Sequence, residues 1–330
     1  MSRRTSIPFS VLDLAPVKQG GTINQSFRET LDLAQHAETW GYQRYWLAEH
    51  HNIPGIASAA TSVLIGYVAG GTKIIRVGSG GVMLPNHAPL VIAEQFGTLE
   101  SLYPGRIDLG LGRAPGTDQI TMRALRRMQS NVDEEFPRDV AELQFYFSDA
   151  KPGQVIRAVP GAGTKVPIWL LGSSLYSAEL AGLMGLPFAF ASHFAPKLLL
   201  DALATYRESF RPSETLDQPY AMPCINAIVA DTDAEAARLA TSLQQAFLNI
   251  RRDTRTLLSP PVDEAPGTES EMRWVNNALR FSAIGSVEKV REWLEIFIDE
   301  TKADEVMVTA QIFDHTARLR SLELLASARP

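Results

Sequence analysis

The stretch of sequence that decides the fold is residues 75–113, IRVGSGGVMLPNHAPLVIAEQFGTLESLYPGRIDLGLGR. Its first part, 75–82, is a short apolar run of the kind that forms a buried strand, and 107–112 is a second one. Between them, 89–102 has the length and apolar spacing of a helix that begins at a proline and ends before Pro104-Gly105. A strand, a helix and a second strand in this order are typical of a parallel sheet with crossover helices.

The same alternation extends in both directions along the 330 residues. Thr22 and Gln25, for example, form the pattern of a capping box that opens a helix ending at Gly41. About eight strand–helix units can be counted, which favours a single (β/α)8 TIM barrel over 1–330 with insertions in its βα loops. The predicted strands are 7–14, 44–48, 75–82, 107–112, 168–172, 188–191, 220–230 and 305–308. The predicted helices lie at 22–41, 59–70, 89–102, 133–147, 177–184, 196–210, after Thr232, and at 316–328.

A doubly wound Rossmann sheet is the main alternative, because it also alternates strands and helices. Its phosphate-binding fingerprint needs three small residues in the order G-x-G-x-x-G or G-x-G-x-x-A. Two stretches begin in this way, at Gly78 and at Gly110, but they place Met83 and Pro115 where the third small residue should be. Together with the number of units, this mismatch favours the closed barrel.

Two segments interrupt the alternation. Residues 151–165 are rich in proline and glycine and are predicted to form an irregular connection. A second insertion, near 251–275, carries Pro260-Pro261, Pro266-Gly267 and several acidic residues. Long loops in compact domains are either functional or mobile, so this insertion is either a lid over an active site or a solvated loop without a catalytic part.

The composition indicates a globular protein of enzyme size. An apolar fraction of 45% is enough to bury a large core, and 31 basic against 37 acidic residues give a net charge of −6. The sequence has no concentrated basic stripe, so we expect no nucleic-acid partner. A single cysteine, Cys224, excludes an internal disulfide, and no cysteine–histidine cluster has zinc spacing. We therefore expect no bound metal.

The N-terminus and the hydropathy pattern bear on location. Residues 1–5 include a basic pair, but Asp13 interrupts the apolar stretch that follows and no cleavage pattern is present, so no secretion signal is predicted. No stretch approaches the roughly 18 uninterrupted apolar residues of a membrane span. We expect a soluble, cytoplasmic protein.

In a (β/α)8 barrel the active site lies at the C-terminal ends of the strands, so the residues after each predicted strand are the candidate site residues. Four of the 6 histidines fall there. Histidine titrates near neutral pH and can transfer protons or donate a hydrogen bond. His50 is the strongest catalytic candidate, although the sequence separates it only weakly from His51. The polar residues after the strands are Glu49, His50, His51, Asn52, Asn86, His87, Arg113, Ser173, Ser174, Ser192 and His193.

A phosphate-binding place is predicted from two neighbouring loops. Arg113 follows a strand in a loop of small residues that lets backbone approach a ligand closely. Ser173, Ser174 and Ser177 sit where the next strand turns into its helix, so free amides, hydroxyls and the helix dipole converge. Serine at such a place is by itself more often a simple helix cap. The arginine beside it favours a phosphate site.

Glycines within the strand at 75–82 have two explanations. The run Gly78-Ser79-Gly80-Gly81 permits close approach of a planar ring, and it is equally compatible with a tight bulge. The glycines alone do not decide between the two.

Taken in order, these loops resemble those of the bacterial luciferase-like flavin monooxygenases, a family of (β/α)8 barrels. The resemblance covers most of the chain, and the shared order and spacing of the motifs make it specific. The matching motifs are Leu47-Ala48-Glu49-His50-His51, 77–85 (VGSGGVMLP), 104–113 (PGRIDLGLGR) and Leu171-Gly172-Ser173-Ser174.

The resemblance implies roles for individual residues. It implies that His50 acts in flavin oxygenation chemistry and that Arg113, Ser174 and Ser177, with Ser173 beside them, hold the phosphate of FMN. It also implies a non-proline cis peptide at Gly80-Gly81 beneath the flavin ring. The remaining candidates, His51 and His193, would contact the substrate or support the residues that do.

The sequence also departs from the luciferases proper. Those enzymes carry a reactive cysteine just before the matched arginine, where this chain has Gly112, so thiol chemistry at that position is excluded. They are heterodimers specialised for long-chain aldehydes and light emission, and nothing in this sequence specifies either property. The chain resembles the single-subunit branch of the family, which implies a homodimer.

The resemblance implies a monooxygenase that uses reduced FMN (FMNH2) and O2 on a small organic substrate. No NAD(P)H fingerprint is present, so a separate NAD(P)H:flavin reductase is expected to supply FMNH2. Two alternatives stay open: a deazaflavin (F420)-dependent oxidoreductase on the same barrel, and a flavin-binding protein without turnover. The substrate is not specified, although Phe9, Phe194 and Trp169 are aromatic candidates for its binding wall.

Overall fold

The computed structural model of the chain describes residues 7–114, 119–125 and 132–330. Nine parallel strands in these residues form one sheet. The strands are short and almost wholly buried, as expected for a parallel sheet covered by helices. They are Phe9–Asp13 (β1), Arg44–Leu47 (β2), Arg76–Met83 (β3), Ile107–Gly112 (β4), Ile168–Gly172 (β5), Phe188–Phe190 (β6), Ala221–Val229 (β7), Ser282–Gly285 (β8) and Val306–Thr309 (β9).

The helices lie between the strands and pack their apolar faces on the sheet. In α1, for example, Leu33, Ala34 and Ala37 are fully buried, at the spacing expected for one face of a helix. The helices are Ile23–Thr39 (α1), Thr61–Gly71 (α2), Pro89–Leu102 (α3), Gln119–Ala124 (α4), Val132–Phe147 (α5), Leu175–Leu183 (α6), Leu199–Ser209 (α7), Asp233–Arg251 (α8), Glu269–Ala278 (α9), Val287–Thr301 (α10) and His315–Ser327 (α11).

Eight of the nine strands close into a ring in the order β1 to β7 and then β9. Val11 of β1 pairs with Tyr45 of β2 on one side and with Val308 of β9 on the other. The ring closes on its far side where Phe188 of β6 pairs with Ala221 of β7. A closed ring of eight parallel strands surrounded by helices is a (β/α)8 TIM barrel, so the predicted fold is confirmed.

The ninth strand, β8, lies outside the ring. The middle of β7, at Cys224, pairs with Met307 of β9, whereas its last residues, Asn226 to Val229, pair with β8. Because β7 is nine residues long, it extends beyond the ring and carries this extra edge strand. Neither β8 nor the helix α10 that follows it is among the elements predicted from the sequence, in which the last strand comes directly after the helix at Thr232.

The predicted insertion near 251–275 is only partly irregular. The helix α8 continues to Arg251, and α9 begins at Glu269, so the irregular part is 252–268. At the start of α9, Thr268 Oγ1 accepts a hydrogen bond from the Glu271 N–H while the Glu271 carboxylate accepts from the Thr268 N–H, which is a complete capping box. The prolines and acids before this pattern obscured it in the sequence.

The capping box predicted at the start of α1 is only half formed. Thr22 accepts a hydrogen bond from the Gln25 N–H, as predicted. The Gln25 side chain, however, donates to Glu29 Oε1 at 2.9 Å instead of returning to the Thr22 backbone. A carboxylate one turn along the helix offers an amide donor a stronger acceptor, because hydrogen bonds to charged groups are the stronger ones.

A network of buried charges occupies the N-terminal end of the barrel. Arg44 lies between Asp108 and Glu305, with Nη1 2.7 Å from the Asp108 carboxylate and Nε 3.1 Å from Glu305 Oε1. Arg76 donates to the other oxygen of Asp108 at 2.6 Å. These charges compensate one another, and they lie opposite the strand ends that carry function in this fold, so we assign them a structural role.

Candidate functional site

One cavity of about 850 Å³ opens at the C-terminal ends of the strands. Its wall contains residues of all eight strands of the ring, or of the loops after them, together with residues of α8, α9 and the segment between them. This placement is the one expected of a barrel active site, although their individual roles stay predictions. All nine predicted site residues line the cavity: His50, His51, Gly80, Gly81, Arg113, Ser173, Ser174, Ser177 and His193.

One end of the cavity carries positive charge and hydroxyl groups. Ser174 caps α6 and accepts a hydrogen bond from the Ser177 N–H, while Ser177 Oγ donates to the Ser174 carbonyl at 2.8 Å. The Arg113 guanidinium lies over the ring of Tyr176, 4.5 Å from its centre. The serines therefore cap the helix and also face the cavity, so the two explanations of their position are compatible. This arrangement suits an anion.

The glycine pair Gly80-Gly81 lies on the cavity wall within β3, and the peptide bond between the two is cis, as the resemblance implied. The register between β3 and β4 shifts at this point, so the strand is also bulged. A Cβ atom on Gly80 would lie 2.6 Å from Leu12 Cδ1, and one on Gly81 would lie 2.8 Å from the Gly110 carbonyl oxygen. The neighbouring backbone therefore excludes a side chain at Gly81, and a side chain at Gly80 would have to displace Leu12, so the backbone itself faces the cavity.

His193 is the cavity histidine whose protonation is most strongly affected by its surroundings. Burial, together with the nearby charge of His50, lowers the pKa of His193 to about 3. The ring of His193 packs edge-on against Phe194, 4.8 Å away. His193 is therefore neutral near pH 7, which limits it to hydrogen bonding and packing.

Glu49 is a site residue whose role the sequence analysis did not assign. Its Oε1 atom accepts hydrogen bonds from His51 Nε2 at 2.8 Å and from His87 Nε2 at 2.9 Å. Its Oε2 atom accepts from the Met83 N–H at 3.1 Å. Burial tends to raise the pKa of Glu49, but the hydrogen bonds from His51, His87 and the Met83 N–H, with the charge of His87, together outweigh burial and lower it to about 2.

The irregular segment 252–268 forms part of the cavity wall. Leu258 pairs with the loop after β1, through its N–H to the Val17 carbonyl at 2.9 Å. Arg255 Nη1 donates to the Asn52 carbonyl at 2.8 Å, which joins the segment to the loop after β2. Of the two explanations left open by the sequence, a place over the site agrees with this geometry. The apolar wall on this side comprises Phe247, Ile250, Leu257, Leu258 and Trp274.

The aromatic candidates for the substrate wall divide between cavity and core. Phe194 lines the cavity and is half exposed. Phe9 and Trp169 are buried, and Trp169 packs edge-on against Trp46 at 5.2 Å. It is Trp46 that reaches the cavity.

The chain is similar to known proteins over nearly its whole length. Residues 7–304 match the family model described as luciferase-like monooxygenase. The chain belongs to the luciferase-like monooxygenase family. A luciferase-like monooxygenase of Escherichia coli (strain K12) is 59% identical over 321 residues, which cover 97% of this chain and 96% of the relative. The crystal structure of apo-MsnO8 is 35% identical with a TM-score of 0.88, and the match covers 98% of each chain.

Three proteins with a described activity or cofactor are less similar to this chain. The N-acetyl-S-alkylcysteine monooxygenase of Bacillus subtilis (strain 168) is 41% identical over 189 residues, 56% of this chain and 57% of that protein. A type II Baeyer-Villiger monooxygenase in complex with FMN has a TM-score of 0.70 at 19% identity. An F420-dependent secondary alcohol dehydrogenase has a TM-score of 0.72 at 14% identity. The last two show a shared fold alone.

The described residues contain neither a cluster of metal ligands nor a membrane-spanning helix. No group of three or more His, Cys, Asp and Glu side chains in 7–114, 119–125 and 132–330 could hold a metal ion. In the same ranges, no helix is long and apolar enough to cross a membrane.

Proposed function

We propose that this member of the family is a monooxygenase that uses reduced FMN and O2 to oxidise a small organic substrate. The observation that carries the proposal is that Arg113 with the serines, the glycine pair and His50 all surround one cavity of about 850 Å³. Ligand pockets typically measure roughly 300–1,000 Å³, so this space suits a cofactor together with a small substrate.

The residues around the cavity fit FMN. Arg113 supplies a positive charge, and Ser173, Ser174 and Ser177 supply hydroxyls beside the N-terminus of α6, which together suit a phosphate. The glycine pair Gly80-Gly81 carries no side chain and so lets a flat ring lie against the backbone. These residues would hold the phosphate at one end of the cavity and the ring near the middle.

When bound, reduced FMN supplies the two electrons by which one atom of O2 enters the substrate and the other leaves as water. The charge on oxygen changes during this reaction, so a proton must be moved. His50 would take up this proton at an imidazole nitrogen and deliver it. His193, with a pKa of about 3, would contribute hydrogen bonds alone. The apolar side chains Leu12, Met222 and Met307 would exclude water, which limits wasteful release of peroxide.

We further propose that a separate NAD(P)H:flavin reductase supplies the reduced FMN and that the chain acts as a cytoplasmic homodimer. The support for the reductase is the imperfect match of both G-x-G stretches to a dinucleotide fingerprint, at Met83 and Pro115. If the chain oxidised NADH or NADPH by itself in the presence of FMN and substrate, the two-component arrangement would be wrong.

Titration of the purified protein with FMN, FMNH2 and F420 tests the cofactor. We expect the tightest binding for FMNH2, followed by O2 consumption when an oxidisable substrate is present. Tight binding of F420 without FMNH2 binding would favour the deazaflavin-dependent alternative, which the F420-dependent neighbour represents. Tight FMN binding with no oxygen uptake across a broad substrate panel would favour a flavin-binding protein without turnover.

For the substrate we propose a small organic molecule with an apolar body. The support is the apolar wall formed by Trp46, Phe247, Ile250, Leu257 and Trp274. The partial relative that is an N-acetyl-S-alkylcysteine monooxygenase suggests thioethers as the first compounds to test. Oxygen uptake with S-alkyl compounds, compared with the alcohols or ketones of the same carbon skeleton, would rank these classes.

A further inference from the structure

Glu49 connects two loops of the proposed active site. Its carboxylate receives His51 and His87 on one oxygen and the Met83 N–H on the other. Met83 ends β3, the strand that contains the glycine pair, and His51 adjoins His50. With only 1% of its surface exposed, Glu49 is a buried clamp between the histidine loop and the strand that faces the cavity.

The hydrogen-bond pattern places a hydrogen on the Nε2 atom of both rings. Because the pKa of Glu49 is about 2, its carboxylate is ionised at neutral pH and can only accept hydrogen bonds. His51 Nε2 and His87 Nε2 must therefore both carry hydrogen. In the neutral ring, this leaves Nδ1 as the acceptor. His51 lines the cavity, so its tautomer bears on the site.

We propose that Glu49 is a positioning residue: it fixes His51 as the tautomer with hydrogen on Nε2 and holds the His50-His51 loop against the end of β3. The role in the reaction rests on the proposed function, whereas the tautomer does not depend on a cofactor. The shared oxygen is what distinguishes Glu49 from a carboxylate that merely fills backbone hydrogen bonds.

Glu38 provides the matched comparison within the same chain. Its carboxylate accepts from the backbone N–H groups of Lys73, Ile74 and Ile75, on the outer surface of the barrel. It touches no residue of the cavity. Glu49→Gln and Glu38→Gln are therefore the same chemical change at a positioning carboxylate and at a structural one.

The first experiment determines the tautomers without any cofactor. Nitrogen-15 NMR of histidine-labelled protein, assigned with His51→Gln and His87→Gln, should give Nε2–H rings for both residues in the wild type. In Glu49→Gln the amide oxygen can face either the two rings or the Met83 N–H; in the second orientation the NH2 donates to the rings, which should then change to the Nδ1–H tautomer. An Nδ1–H ring for His51 in the wild type would overturn the inference.

The second experiment separates positioning from stability. We expect Glu49→Gln to slow the oxidation of protein-bound FMNH2 by O2 by about tenfold, while the Kd for FMN changes by less than about threefold. Glu38→Gln should leave both quantities at the wild-type level, even where it lowers Tm by as much as Glu49→Gln. Wild-type kinetics in Glu49→Gln, or the same slowing in both variants, would contradict a positioning role.

The proposed function and the proposed role of Glu49 can fail separately. If the wild type binds FMN and Glu49→Gln reacts normally, only the role of Glu49 is wrong. If the wild type binds neither FMN nor FMNH2, the proposed function fails, and the role of Glu49 in that reaction fails with it.

Discussion

At the scale of single residues, His50 and His193 line the same cavity but differ in the chemistry that they can perform. His193 is held neutral by burial, so a proton-transfer role falls to His50. We expect His50→Ala to lower turnover by roughly 10²–10⁴-fold, the usual contribution of general acid–base catalysis, with the Kd for FMN nearly unchanged. Steady-state oxygen uptake and fluorescence titration with FMN measure the two effects.

His36→Ala is the matched control for this substitution. His36 lies on α1 with about half of its side chain exposed, where it contacts Asp32. It should behave as wild type in both assays. Equal losses of turnover and FMN binding in His50→Ala would show that His50 holds the cofactor instead of handling a proton.

Tyr176 tests the anion-binding end of the cavity. Its ring lies beneath the Arg113 guanidinium, and both residues are partly exposed, so we expect this contact to contribute about 0.5–1 kcal/mol. Tyr176→Leu removes the ring face and should weaken FMN binding by roughly 2–5-fold, whereas Tyr176→Phe keeps the face and should bind as wild type. Equal affinities of Tyr176→Leu and Tyr176→Phe for FMN in a titration would show that the stacking has no effect.

Some of the candidate site residues can be predicted from the sequence, and others cannot. His50, Arg113 and the serines follow strands, and the barrel places every such position at one mouth, so topology alone brings them together. Glu49 and Tyr176 act through contacts between different loops or through the face of a ring. Those contacts depend on side-chain directions that no spacing in the sequence encodes.

At the scale of elements, α9 and the segment before it form one side of the cavity. The capping box of Thr268 and Glu271 starts α9, and Trp274 reaches the cavity from this helix. We expect Thr268→Ala to destabilise the protein by about 1 kcal/mol and to fray the first turn of α9. Hydrogen exchange of 269–274 should increase, and KM for a substrate that packs on Trp274 should rise.

Thr232→Ala is the control at this scale. Thr232 caps α8 in the same way, by accepting from the Glu235 N–H at 3.2 Å, but at the end of the helix away from its cavity-lining residues. The stability loss should be similar and KM should not change. A rise in KM in both variants would mean that the effect is a general loosening of the fold.

The elements that the sequence revealed are those with strong periodicity. The eight barrel strands were found because each is a buried apolar run between helices. β8 has only four residues with alternating partial burial, and it exists because β7 extends past the ring to offer it a partner. Such a strand depends on tertiary pairing, and four residues carry too little local preference to reveal it.

At the scale of the whole molecule, α2 and α3 present an apolar surface. The sequence of α2, TSVLIGYVAGG, contains no charged residue, although Val63 is 73% exposed and Tyr67 is 45% exposed. The neighbouring α3 adds Val91 and Leu102, both exposed. An apolar surface of this kind, on a helix without charges, is typical of an interface between protein chains. We expect it to join two copies of this chain.

This expectation concerns the homodimer of the proposed function and is tested by mass in solution. Light scattering should give twice the chain mass of 36.2 kDa for the wild type, and Val63→Glu combined with Leu102→Glu should give the single-chain mass, because two buried unpaired carboxylates in each copy would oppose association. Val155→Glu is the control, since Val155 is 95% exposed but lies in the connection 151–165. It should remain dimeric. A monomeric wild type, or a dimeric Val63→Glu/Leu102→Glu variant, would show that this surface does not join two chains.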